Sequence, residues 1–290
     1  MNEHLDGFHH AGLLTRDLDT LEKRYESLGF TLSPRSRHLL AAEPGKPPVP
    51  GCTANRCAVF GDSYIELLGI VDDAAPDPWH TRAMAAEYEG FRLLNLETGD
   101  ADAADARLRE IGLTTSGVLD LERAVDTASG PRTLRARAVH VDPRATPEGY
   151  LGVAQHLTRE YVHQPRYLGH ENGARGIGAV LIVADPAVFD TVVDRYARIS
   201  GRPADQEGPL ALVDVGGARL EIVRSGDAEA LLPGEPAPSG SYLAAMTIRV
   251  ADVYRAREVV DNAAIATRTT PDGFFVSARD AFGAGLFFTG

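Results

Sequence analysis

Basic residues, cysteine, tryptophan and long apolar runs are all scarce in this 290-residue chain, and each scarcity narrows what the chain does. Lys and Arg number 29 against 41 Asp and Glu, a formal net charge of -12. Such a surface repels phosphate backbones and anionic lipid, so neither nucleic acid nor a membrane is an expected partner. No apolar run approaches the ~20 residues that cross a bilayer. The opening MNEHLDGFHH lacks a basic start and an apolar segment, so no export signal is expected and the expected location is cytoplasmic. Two cysteines, Cys52 and Cys57, are too few for a disulfide framework or a cysteine zinc site, and are expected to be reduced thiols.

What the chain does have is a repeat. One, four, eight and eleven residues after Asp17 come Leu18, Leu21, Tyr25 and Leu28, the apolar stripe of a helix that stops at Gly29. From Asp100 the same offsets give Ala101, Ala104, Leu108 and Ile111; from Asp185, Pro186, Phe189, Val193 and Tyr196; from Asp252, Val253, Ala256, Val260 and Ala263. Each acidic residue is suited to cap the helix that follows. A short strand precedes each stripe (HHAGLLT, FRLLNLE, GAVLIVA and AAMTIRV) and strand-like segments follow it, so each unit reads as βαβββ. The predicted fold is α+β: four such modules, paired into two U-shaped, barrel-like mixed sheets with the helices outside. The pairs are expected over residues 1–165 and 175–290.

Side chains alternate between the faces of a strand, so parity assigns each residue to the helix side or the concave side. Ala11 and Leu13, Leu94 and Leu96, Leu181 and Val183, and Met246 and Ile248 are read as helix-facing. That places His10 on the concave face and His9 behind it. In SYIELLGI, Ile65 and Leu67 lie under the helix, leaving Tyr64 and Glu66 inside. In YLGVAQHL the same test selects His156, whereas a bulge would select Gln155 instead.

A βαβββ unit that begins with a strand histidine and ends in Tyr-Ile-Glu-Leu resembles the vicinal oxygen chelate superfamily, and GCTANRCAVFGDSYIELLGI with GHENGARGIGAVLIVADP is similar to the glyoxalase-like domain proteins of bacteria. The resemblance implies that paired modules surround a divalent ion, with ligands from the first and last strand of each module. By position these are His10 and Glu66 from the first module. In the second, Leu93 stands where a ligand is expected, and the last strand offers His156 by parity or Gln155 by the resemblance. Gly178 and Ala245 occupy the histidine positions of the C-terminal pair, where only Glu221 echoes Glu66, so that pair is read as metal-free.

Imidazole and carboxylate donors suit Zn, Mn, Ni or Fe(II). An ion held by His10, Glu66 and His156 keeps open positions that can chelate two oxygens of a small substrate and stabilise an enediolate or another oxyanion. His38 and Glu66 are the candidate catalytic groups; Asn55, Arg56, Tyr64 and Gln155 are the candidate substrate contacts, Arg56 for a carboxylate. The expected function is a metal-dependent lyase, isomerase or hydrolase acting on a small oxygenated molecule. The alternatives are a metal-free binding protein of the same fold and a non-haem Fe(II) dioxygenase. Four modules pair within one chain, so a monomer suffices and a homodimer is the other expectation.

Overall fold

The structure, a computed structural model, describes Leu5 and residues 7–290. The opening residues behind the export-signal expectation lie, apart from Leu5 and the strand from Gly7, outside the described residues. The N-terminal half runs β1 (Gly7–Thr15), α1 (Leu18–Ser27), β2 (Ser36–Leu40), β3 (Val49–Val59), β4 (Tyr64–Ile70), α2 (Thr81–Glu87), β5 (Gly90–Glu97), α3 (Ala101–Glu110), β6 (Thr115–Thr127), β7 (Gly130–Val141) and β8 (Tyr150–His156). The C-terminal half runs β9 (Ala174–Ala184), α4 (Phe189–Ser200), β10 (Asp205–Glu207), β11 (Leu210–Asp214), β12 (Arg219–Arg224), α5 (Ala228–Leu231), β13 (Tyr242–Val250), α6 (Val253–Asn262), β14 (Thr267–Thr270), β15 (Gly273–Val276) and β16 (Gly285–Thr289). These are the four βαβββ units, with α2 and α5 between the members of each pair.

Three of the four acidic anchors cap their helices. Asp17 accepts from the Thr20 amide at 3.0 Å, Asp100 from those of Asp102 and Ala103 at 3.1 Å, and Asp252 from those of Tyr254 and Arg255. Each bond satisfies an amide that the first helical turn would otherwise leave open. The third unit differs. Asp185 caps the turn before the helix, accepting from Ala187 at 2.8 Å, and α4 begins only at Phe189. Its buried stripe is therefore Phe189, Val192, Tyr196 and Ile199, without Pro186 or Val193.

The two halves build two eight-stranded mixed sheets. The second is open, in the order β10-β11-β12-β9-β13-β16-β15-β14. The first closes into a barrel, β1-β4-β3-β2-β6-β7-β8-β5, because β2 pairs with β6 through Leu39 opposite Glu122 and Leu40 opposite Leu121. That short seam turns an expected U into a closed wall. Ala11, Leu13, Ile65, Leu67, Leu94, Leu96, Leu151 and Val153 pack under the helices as parity requires.

In β9 the parity reading is inverted. Val180 and Ile182 join the helix-side core, whereas Leu181 and Val183 pack on the opposite face with Tyr242, Phe275, Ala228 and Leu232. The α5 segment lies on that face and makes both registers apolar, so alternation carries no information there. The ladder then matches Leu181 with Glu221 as it matches Gly12 with Glu66, which makes Ala179, not Gly178, the counterpart of His10.

A buried ion pair ties the halves together. Glu148, fully buried, accepts from Arg195 at 2.5 Å and from the Tyr196 hydroxyl at 2.6 Å, both on α4. Its backbone carbonyl accepts from Leu243 in β13. Removing one partner of such a pair strands the other charge. Glu148→Ala is expected to cost about 3 kcal/mol, read as a lowered urea midpoint with the slope unchanged.

Candidate functional site

The barrel interior has three zones. At one end Leu14, Leu68, Ile70, Leu93 and Tyr150 pack with Trp79, Met84 and Ala85 from the α2 region. At the other end Cys57, Val59, Tyr64, Leu134 and Ala136 pack with Val162. Between these apolar plugs runs a polar belt of His9, His10, His38, Asn55, Glu66, Asn95, Arg123, His140 and His156 around a cavity of about 60 Å³. The cysteines expected to be thiols are free and buried.

Glu66 is the centre of the belt. His10 Nε2 lies 3.4 Å from Oε2, His38 Nε2 lies 3.7 Å from Oε1, and Asn55 Nδ2 donates to Oε1 at 2.5 Å. Burial alone would push this carboxyl up. The hydrogen bond and charge of His10, the charge of His38 and the Asn55 amide outweigh burial and hold it down at about 2. Asn55 Oδ1 in turn accepts from Arg123 Nη1 at 2.6 Å, so one amide bridges the buried anion and a buried cation. His38 is fixed from behind by Thr53, whose Oγ1 lies 2.9 Å from Nδ1, and burial lowers its imidazole to about 4.

His9 and His10 both face the cavity, which strict alternation forbids. The β1–β5 ladder shifts register between Phe8 and His10, a bulge that turns His9 inward and leaves Phe8 in the helix-side core. The expectation that His9 lies behind His10 is thereby overturned. His9 Nδ1 sits 2.6 Å from His10 Nδ1, so one of these nitrogens carries the hydrogen and the other accepts it. The His9 ring lies 4.3 Å from that of His156, and His10 stacks on Tyr64 with centroids 4.5 Å apart. His9 Nε2, His156 Nδ1 and both ring nitrogens of His140 have no protein partner. Burial holds His9, His140 and His156 far below the usual imidazole range, His140 at about 3.

Of the residues singled out from the sequence, His10, His38, Asn55, Tyr64, Glu66 and His156 line the cavity. Arg56 and Gln155 do not. Arg56 faces outward, donating to the Ser33 carbonyl and to Glu26 on α1. Gln155, on the other face of β8 from His156, accepts from the Ala101 amide and donates to the Gly99 carbonyl, bracing the start of α3. Arg56 and Gln155, expected as substrate contacts, thus lie outside this cavity and are held by these bonds. Sequence reading missed Arg123 and His140, each on a strand whose parity was not tested; the parity of β5 does put Asn95 on the concave face, where the structure has it. Trp79, in the connector after β4, packs its ring 5.3 Å from that of His38 and 5.4 Å from that of His140 in the cavity wall.

The three ligands read from the sequence, His10, Glu66 and His156, do not meet at one point. The β4 position of Glu66 corresponds in β8 to Gly152, which pairs with Asn95 as Glu66 pairs with Gly12. A Cβ at Gly152 would sit 2.1 Å from the Asn95 side-chain oxygen, so the glycine leaves Asn95 room to lie over it. His156 lies four residues further along the strand, roughly 13 Å, and rests against His9 rather than Glu66. The two imidazoles that do reach the Glu66 carboxylate are those of His10 and His38.

Residues 8–200 match the glyoxalase-like domain family. No curated protein matches the chain. Solved structures do: a hypothetical protein from Staphylococcus aureus is 14% identical, with a TM-score of 0.66 over 97% of this chain and 98% of that one. A xylose isomerase-like TIM barrel/4-hydroxyphenylpyruvate dioxygenase fusion protein is 15% identical, with a TM-score of 0.58 over 93% of this chain and 40% of its own length. A mutant 4-hydroxymandelate synthase from Streptomyces coelicolor is 12% identical, with a TM-score of 0.55 over 92% and 78%. At these identities the likeness is one of fold.

The buried imidazoles set an acid limit on stability. Between pH 6.5 and 4 the unfolded chain takes up protons that His38 and His140 in the folded chain refuse. Stability therefore falls as pH drops through that window, by about 1.4 kcal/mol per pH unit for each such histidine. Glu66 adds a further loss from its ordinary 4.5 down to about 2, where its folded form finally protonates. His140→Phe is expected to remove one histidine's share of the slope, read from urea midpoints between pH 7 and 4.

Proposed function

The chain belongs to the glyoxalase-like domain family of the vicinal oxygen chelate superfamily, and on that premise we propose that its barrel is an acid–base site for a small oxygenated molecule, operated by the protein's own groups. The observation that carries this reading is the chain Glu66–His10–His9, ending in an imidazole nitrogen with no protein partner at the cavity. When His10 Nε2–H faces the carboxylate, His10 Nδ1 accepts from His9 Nδ1–H, and His9 Nε2 presents a lone pair. A proton taken there passes to His10, beside the one buried carboxylate of the belt. This is the base-plus-orienting-carboxylate logic of activated hydrolase sites, extended by one ring. His140 and His156, neutral, supply hydrogen bonds to an oxygen that gains charge when the proton leaves.

The approach of His10 and His38 to one carboxylate also supports a second reading, a divalent ion gripped at Glu66 with substrate oxygens completing the shell. Hydrogen exchange separates the two. EDTA-treated protein in D2O is mixed with a panel of 2-oxo acids and hydroxycarbonyl compounds, and C–H signals are followed by NMR. The acid–base site predicts exchange without metal, slowed about 100-fold by His9→Gln. Exchange that needs about one equivalent of Zn, Mn, Ni or Fe(II) per chain would favour the ion. Binding reported by Trp79 fluorescence with no exchange in any compound would leave a binding protein.

A further inference from the structure

Two described arginines, Arg92 and Arg123, are buried and a third, Arg195, is mostly so; Arg92 and Arg195 are neutralised. Arg92 pairs with Glu87 at 2.9 Å and lies over the Tyr88 ring; Arg195 pairs with Glu148. Arg123, only 6% exposed, has no such partner. Its hydrogen bond goes to the neutral Asn55 oxygen, and no carboxylate lies within 4 Å of it among the described residues. A buried guanidinium without a counter-ion is costly, and an arrangement that tolerates one is suited to an anion supplied from outside.

The place of Arg123 points the same way. Its side chain enters the polar belt from β6, between Leu121 and Leu134, and it also borders an outer pocket of about 220 Å³ formed by Ser33, Val125, Tyr161 and Gln164. The belt's carboxylate, Glu66, is separated from it by Asn55 and engaged by His10 and His38. The positive charge is thus presented at the cavity wall, with neutral imidazoles of His140 and His156 on the same lining. A planar fork of N–H donors matches a carboxylate in two parallel bonds. The cavity's 60 Å³ is room for about four water-sized groups at roughly 15 Å³ each, the scale of a two- or three-carbon acid.

We propose that Arg123 is the anion-recognition residue of the barrel and that the molecule it selects is a small carboxylate, of two or three carbons and bearing a further oxygen. This rests on the reading of the barrel as a small-molecule site and names the class of molecule. Arg123 replaces Arg56, the carboxylate contact expected from the sequence, which the fold turns outward.

Trp79 is the chain's single tryptophan and stands in the cavity wall, so intrinsic fluorescence reports on this cavity directly. Glyoxylate and pyruvate are titrated against their uncharged counterparts glycolaldehyde and hydroxyacetone, in chloride-free buffer. Wild type is expected to bind the acids at least 10-fold more tightly. Arg123→Gln, which keeps an amide to serve Asn55 but removes the charge, is expected to bind acid and neutral compound alike. Its melting temperature should hold or rise, because the charge it loses has no protein counter-ion. Arg123→Lys should retain part of the preference. Equal binding of acids and neutral compounds by wild type, or a preference that survives in Arg123→Gln, overturns the role of Arg123 and leaves the cavity standing. A silent Trp79 with every compound overturns both.

Discussion

An ionised carboxylate inside a closed barrel costs several kcal/mol unless donors surround it, and the polar belt is organised around meeting that cost at Glu66. His10, His38 and Asn55 each spend a donor or a positive face on it. Their positions follow from that demand. Thr53 fixes His38 from behind, Arg123 fixes Asn55 from the far side, and His9 meets the outer nitrogen of His10. The apolar plugs above and below keep water from doing the same work, which is why the remaining imidazoles stay neutral and why three of them keep unpartnered nitrogens.

The two halves use one topology for different ends. In the N-terminal sheet, β2 and β6 close the wall around a polar interior. In the C-terminal sheet the corresponding face is filled by Ala228 and Leu232 of the α5 segment against Leu181, Val183, Tyr242 and Phe275. There is no polar belt to solvate on that side, and Glu221, the echo of Glu66, lies bonded to Arg219 instead. The Glu148 junction then makes the filled half a rigid neighbour of the barrel, through α4.

The architecture was legible in the sequence because it rests on periodicities. Capping aspartates, helical stripes and alternating strands specify four βαβββ units, and three of the four caps form as spaced. Legibility ended where a local rule was suspended. The bulge at His9 reverses one side chain without any mark in composition. The α5 plug makes both faces of β9 apolar and so hides its parity. Arg123 and His140 lie on the long hairpin of β6 and β7, where charged residues are common and only the closed wall reveals which of them point inward. The equivalence of Gly152 with Glu66 depends on ladder register, which sequence spacing alone does not define.

The charge state of one carboxyl group tests this account most directly. With 13C-labelled glutamate, the Glu66 side-chain carboxyl, assigned by comparison with Glu66→Gln, is followed by NMR as pH is lowered in the folded protein. The account predicts a carboxylate shift maintained through pH 3, with no transition near 4.5. A transition at or above 4.5 would mean that the group is neutral or solvated. The belt of histidines, the asparagine bridge and the free guanidinium would then lose the charge that holds them in place.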